Sequence, residues 1–190
     1  MEGQGESGAL PVLLRRIWEL LGGEYIEVFS PFRCSKQKLL QPSEMARILD
    51  FAVSRLESAG LDADPAMVLL LFDADDDLPC ILGPEVLTRA KALRADADIS
   101  CVIANVEFET WFVAAAESLA RFLDLSGDNA LPEKPEETRQ GKGWIQKRFR
   151  GNKYASSFDQ PRLTQVMDLK LCRSRSPSFD KLCRELEARL

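Results

Sequence analysis

The 190-residue chain contains no histidine. That absence excludes Ser-His nucleophile pairs, histidine general bases and histidine-ligated zinc together. The five cysteines, Cys34, Cys80, Cys101, Cys172 and Cys183, are odd in number and form no CxxC pair. They support neither a disulfide scaffold nor a zinc ribbon, and a reducing cytoplasm is the compartment expected. Cys101, inside an apolar strand-like run, is expected to be core. No apolar run approaches the roughly 20 residues that cross a bilayer. The start lacks the basic-then-apolar pattern of a signal peptide, and no membrane partner is expected. There is no internal repeat and no low-complexity tract. A net charge of −5 gives no overall basic character, so any contact with nucleic acid must rest on a local patch. What remains is a chain that is 45% hydrophobic and 29% charged. It suffices for one globular domain with appended structure.

One stretch organises the chain: Leu69-Leu70-Leu71-Phe72-Asp73-Ala74-Asp75-Asp76-Asp77. An unbroken apolar run reads as a strand buried on both faces. Such a strand delivers the residues after it to the carboxyl edge of a parallel sheet, where open α/β folds bind ligands. Here those residues include four carboxylates within five positions. Like charges so close need water or a cation between them. Oxygen ligands without thiolate or imidazole suit Mg²⁺, with Mn²⁺ a close second. A solvated acidic turn is the plainer reading.

In chain order, the glycine-rich residues 1–8 read as a loop. Leu10, Leu13, Leu14, Ile17, Leu20 and Leu21 then predict a helix, stopped by Gly22-Gly23. Tyr25 to Phe29 alternates as a short strand before Pro31. A loop carrying Arg33, Lys36 and Lys38 leads to a helix capped by Ser43, with Met45, Ile48, Leu49, Ala52, Val53 and Leu56 on its apolar face. After the buried strand, Gly83-Pro84 is expected to open a third helix. Ile99 to Ala104 predicts a second buried strand, and a helix is expected to run on to about Leu125. This alternation predicts an α/β fold, a parallel sheet with helices on both faces, over residues 1–125. Residues 126–190 read as a linker from Ser126 to Gly143, a basic segment, and closing helices over 163–171 and 179–190. Ser176 or Ser178 would cap the last of these, with Pro177 just ahead of it.

Two acidic groups fall where ends of parallel strands meet. Glu2 and Glu6 lie in the glycine loop, and Asp73 and Asp75 at the tip of the buried strand. Adjacent strand tips are about 5 Å apart, so these carboxylates could share cations. Bound metal can polarise a phosphoryl oxygen and activate water, and an unengaged glutamate can move a proton. Glu107 and Glu109 also suit exposed acids in the first turn of a helix. Between Thr138 and Phe158 lie six basic residues and no acidic one, namely Arg139, Lys142, Lys147, Arg148, Arg150 and Lys153, interleaved with Trp144, Phe149 and Tyr154. Such a segment can neutralise phosphates while Trp144 and Tyr154 stack on bases. It can equally be a solvated loop whose aromatics pack on the core.

Glu2-Gly3 followed by Asp73-x-Asp75 resembles the toprim domain of topoisomerases, primases and nucleases of the OLD (overcoming lysogenisation defect) type. More narrowly, Glu2-Gly3-Gln4-Gly5-Glu6, Asp73-Ala74-Asp75-Asp76-Asp77, Glu107-Phe108-Glu109-Thr110-Trp111-Phe112 and Ser176-Pro177-Ser178-Phe179 resemble a small bacterial family. That family is toprim-like, is described only as a domain of unknown function, and is often encoded beside an ATPase in defence-type gene pairs. The resemblance implies a four-stranded parallel core and a small C-terminal helical extension. It implies Glu2 as general acid or base and metal ligand, and Asp73 and Asp75 as Mg²⁺ (or Mn²⁺) ligands. Glu6 and Glu109 match further acidic positions, Glu6 as a catalytic candidate and Glu109 as a ligand candidate. Asp77 is an auxiliary ligand or solvated. In toprim domains the glutamate ends the first strand. Here Met1 directly precedes Glu2, so that strand is expected to be missing. The implied function is a Mg²⁺-dependent nuclease or phosphoryl-transfer protein acting on nucleic acid, in phage or plasmid defence with an ATPase partner. The alternative is a non-catalytic module that binds nucleic acid or a partner on the same fold.

Overall fold

A computed structural model describes residues 4–60, 66–126, 131–151 and 153–190. In chain order they form α1 (Gln4–Leu20), a short α2 (Lys36–Leu39), α3 (Pro42–Ser58), β1 (Val68–Asp73), α4 (Pro79–Leu93), β2 (Ile99–Ala104) and α5 (Glu109–Ala114). Then come α6 (Gly141–Arg148), α7 (Ser156–Val166), α8 (Leu169–Arg175) and α9 (Pro177–Glu187). The architecture is mixed α/β, with many helices around a small parallel sheet.

The two strands expected to be buried form that sheet. They pair in parallel, from Val68 opposite Ile99 to Asp73 opposite Ala104. Their side chains alternate between two cores, as the period of two requires. Leu71, Val102 and Ala104 face a larger core shared by α1, α5 and α7 to α9. Leu70, Phe72, Cys101 and Ile103 face a smaller one closed by α3 and α4. The larger core centres on fully buried Trp111, whose ring meets Phe108 at 4.9 Å and Phe179 at 5.3 Å. Its indole N–H donates to Ser178 Oγ at 2.9 Å, so the one polar atom of the ring is satisfied.

Several expectations are corrected. Residues 4–8 are helical, not a loop, because Gly5 and Gly8 face α7. A Cβ on Gly5 would overlap the Ser156 carbonyl and Gln160 Oε1, and one on Gly8 would press on Pro161. These glycines admit close helix packing rather than chain reversal. Tyr25 to Phe29 forms no strand. Instead Arg55 lies over the Phe29 ring, 4.8 Å from its centroid, and Tyr25 is exposed. The sheet among the described residues therefore has two strands rather than four. The helix expected from Gly83-Pro84 starts earlier, with Pro79 in its first turn and Pro84 inside it. The helix after β2 stops at Ala114, and a 3₁₀ turn covers Ala116–Leu119. There the Ser118 hydroxyl donates to the Ala115 carbonyl, and local side-chain bonding of this kind competes with the helical ladder. The segment expected to be a linker contains a 3₁₀ turn, Pro135–Glu137, and the start of α6.

With this register, Val68, Leu70 and Phe72 point their backbone N–H groups at β2. Leu69 and Leu71 point theirs the other way, along a cavity of about 550 Å³ lined by Leu10, Leu14, Phe29, Phe51 and Met67. Among the described residues, no helix is long and apolar enough to cross a membrane.

Candidate carboxylate site

Asp73 is the last residue of β1, and its carboxylate turns inward. Phe108, just past β2, donates its backbone N–H to Asp73 Oδ1 at 2.9 Å. The two strand tips are clamped further by Asp75 N–H donating to the Val106 carbonyl at 2.8 Å. Val106 adopts a left-handed backbone (φ 62°), uncommon for a β-branched residue, and this turn carries Glu107 and Glu109 back toward Asp73. Glu109 opens α5 and is 4% exposed; Glu6, in the first turn of α1, is 7% exposed.

These acids act on one another. Burial is the largest influence on Asp73, followed by the charges of Glu6 and Glu109. The Phe108 bond only partly opposes them, and the carboxyl is pushed up to about 9. Glu109 is raised too, first by burial and then by Glu107. Its Oε1 accepts from Tyr154 Oη at 3.2 Å, Gln160 Nε2 at 3.0 Å and Ser156 Oγ at 3.5 Å. Tyr154 is held in its protonated form by burial and by Glu109. Three groups from the C-terminal helical region thus orient one acid of the α/β region. Glu107 has a different task. Its Oε1 accepts the Lys142 backbone N–H at 3.0 Å, at the start of α6. Gly141 sits so close to Thr110 and Glu107 that a Cβ would crowd both.

The profile of a family described as "Domain of unknown function (DUF4276)" matches residues 1–187. The chain belongs to the DUF4276 family. No curated protein and no solved structure matches it. The DUF4276 match takes in both the strand-tip acids and the C-terminal helices that hold Glu109.

In this DUF4276 chain the expected site residues divide. Glu6, Asp73 and Glu109 come together. Glu2 lies outside the described residues. Asp75 and Asp77 are engaged elsewhere: Lys36 Nζ reaches Asp75 Oδ2 at 2.5 Å and Asp77 Oδ2 at 3.2 Å, and also donates to the Ala74 carbonyl. Burial lowers the Lys36 ammonium, but its bonds to Asp75 and Asp77 outweigh that and raise it. Asp76 is exposed, with Arg139 at 3.8 Å. Glu109 is not the exposed first-turn acid that its position also allowed. Among the described residues, no three His, Cys, Asp or Glu side chains converge closely enough to hold a metal ion by themselves. The donors of the cluster are nonetheless all hard oxygens, in the charge-rich setting such ions favour.

The basic segment is partly surface. Lys142, Lys147, Arg150 and Lys153 are exposed. Arg150 is tied to the Ala120 and Leu123 carbonyls, and Arg148 stacks on Trp144 at 4.0 Å. Tyr154 is 3% exposed, so it packs in the core rather than offering a face to a base. Sequence reading missed Gln160 and the role of Tyr154, because neither stands in a pattern that ties it to an acid so far along the chain. It also missed Lys36 as the partner of the aspartate run.

Proposed function

We propose that this DUF4276 chain is a Mg²⁺- or Mn²⁺-dependent phosphoryl-transfer protein of toprim type that acts on nucleic acid as a nuclease. One observation carries the reading: Asp73, at the carboxyl end of a buried parallel strand, is raised to about 9 among the acids Glu6, Glu109 and Glu107. A group of buried carboxylates that raise one another calls for protons or a divalent cation. Asp73 and Glu109 would hold the cation, with Glu2 joining them as the resemblance implies. Bound there, it would polarise a phosphoryl oxygen and lower the pKa of a coordinated water. Tyr154 and Gln160 fix the direction of Glu109. Whichever of Glu2 and Glu6 is not engaged moves the proton. Lys142, Lys147 and Lys153 neutralise substrate phosphates beside the site, and Arg148 and Trp144 form a cationic stack at its flank. The place of action is the reducing cytoplasm, in keeping with five free cysteines. The biological setting is defence against phage or plasmid with an ATPase partner.

The test is cleavage of plasmid DNA and of RNA with Mg²⁺, Mn²⁺ or EDTA. Nicking that needs metal and is lost in Asp73→Asn supports the proposal; an unchanged rate in the variant removes Asp73 from the site. A second reading, a binding module without catalysis, draws on the engagement of Asp75 and Asp77 by Lys36. It expects nucleic-acid binding that is indifferent to EDTA and to Asp73→Asn.

A further inference from the structure

Two arginine–aromatic stacks lie outside the carboxylate site. In α6, the Arg148 guanidinium stands 4.0 Å from the centre of the Trp144 ring. In α7, Arg162 is held between two rings, 5.4 Å from Phe122 and 5.1 Å from Phe158, and Arg121 covers Phe122 at 4.7 Å. Backbone bonds join the stacks: Asp124 N–H donates to the Arg148 carbonyl at 2.7 Å, and Arg150 N–H to the Phe122 carbonyl at 2.8 Å. Arg121, Phe122 and Arg162 stand outside the basic segment of the sequence, and only the fold adds them to it. The charge of this face is one-sided. Arg150 pairs with Asp124 and Arg162 with Asp159, but among the described residues Arg121 and Arg148 have no carboxylate in ion-pair reach. Phe158 is 65% exposed, so its ring is open to a partner. Both helices are anchored to the acids, α6 through the Lys142 N–H on Glu107 and α7 through Ser156 and Gln160 on Glu109.

We propose that this face is a track for single-stranded nucleic acid, with unpaired bases stacking on Phe158 and on the Arg148 guanidinium, and phosphates meeting Arg121, Arg150 and Arg162. The inference rests on the nucleic-acid reading and names the form of its substrate. Charge alone would suit a duplex equally well. Open rings and guanidinium planes do not, because a duplex keeps its base faces stacked inside, whereas every unpaired base offers one. With α6 and α7 bonded to Glu107 and Glu109, a strand on the track is held at a fixed distance from the acids.

The experiment uses the full chain in EDTA, so that binding is read without cleavage. Fluorescence anisotropy compares three labelled probes of equal length, about 20 nucleotides: oligothymidine, the same strand with abasic sites, and a duplex. The expected result is oligothymidine bound about tenfold or more tighter than either of the others. Phe158→Ala, and Arg148→Lys, which keeps the charge but loses the plane, should each weaken oligothymidine by about tenfold and leave the duplex unmoved. An abasic strand or a duplex bound as tightly as oligothymidine, or an unchanged affinity in Phe158→Ala, overturns this inference and leaves the nucleic-acid reading standing. A folded chain that binds none of the probes overturns both. Should Arg148→Lys fail to fold, the abasic strand and Phe158→Ala still decide.

Discussion

Replacing Asp73 by asparagine should make the metal-free chain more stable, and more so as pH rises. The carboxyl moves from its ordinary 3.8 to about 9 on folding. Its folded-state pKa is raised, so between those values the folded chain holds a proton that the unfolded chain has released. Its contribution is fully present below the unfolded value and is lost as pH climbs through the folded one. Each pH unit inside that window removes about 1.4 kcal/mol. From about pH 5 to about pH 8 the loss is about 4 kcal/mol, a large part of a domain's total stability. Asparagine keeps the shape and an acceptor for the Phe108 N–H but does not titrate. Urea unfolding in EDTA, followed by circular dichroism across that range, measures the difference directly. The unaltered chain should lose stability steeply relative to Asp73→Asn, with the two curves converging at the acid end. Parallel curves would mean that Asp73 is ionised in the folded chain, and would refute the mutual repulsion of these acids. Adding Mn²⁺ should flatten the curve of the unaltered chain, since a cation displaces the proton, and leave the variant's curve unmoved.

Gly5→Ala should destabilise by about 1–3 kcal/mol, because the added methyl meets the Ser156 backbone and Gln160, seen as a lower midpoint in urea. Glu136→Ala should cost about 1–3 kcal/mol in the same assay: its Oε1 accepts from Ser176 Oγ at 2.7 Å and Ser178 N–H at 2.8 Å, and both donors lie at the buried start of α9. Changing Lys142 and Lys147 together to alanine should weaken binding of a DNA or RNA oligonucleotide and lower the slope of log affinity against log salt by about two, read by fluorescence anisotropy.

The parts of the fold legible in the sequence are those where burial is complete. Leu69 to Phe72 is an unbroken apolar run, and Ile99 to Ala104 is apolar apart from Ser100, because each strand has a core on both faces. The acids after them are legible for the same reason, since a buried strand can end only where polar residues resume. The features that escape such a reading depend on partners distant in sequence. The glycines of residues 4–8 look like loop residues until Pro161 and Gln160 are seen to need the space. The alternation of Tyr25 to Phe29 is real, but alternation alone does not bring the segment to a strand edge. Asp75 and Asp77 stand beside Asp73 in sequence, yet the left-handed backbone at Asp75 (φ 53°) parts them from it and hands them to Lys36.

A two-stranded sheet leaves a mark on solvent access along β1. The amides of Leu70 and Phe72 are locked against β2, while those of Leu69 and Leu71 look into a space large enough to admit water. Deuterium uptake along this strand should therefore beat with a period of two residues, slow then fast, although the side chains of Leu70 and Leu71 are about equally hidden. Such a rhythm would mark the outer rim of β1 as the place where another backbone, from any source, could add itself.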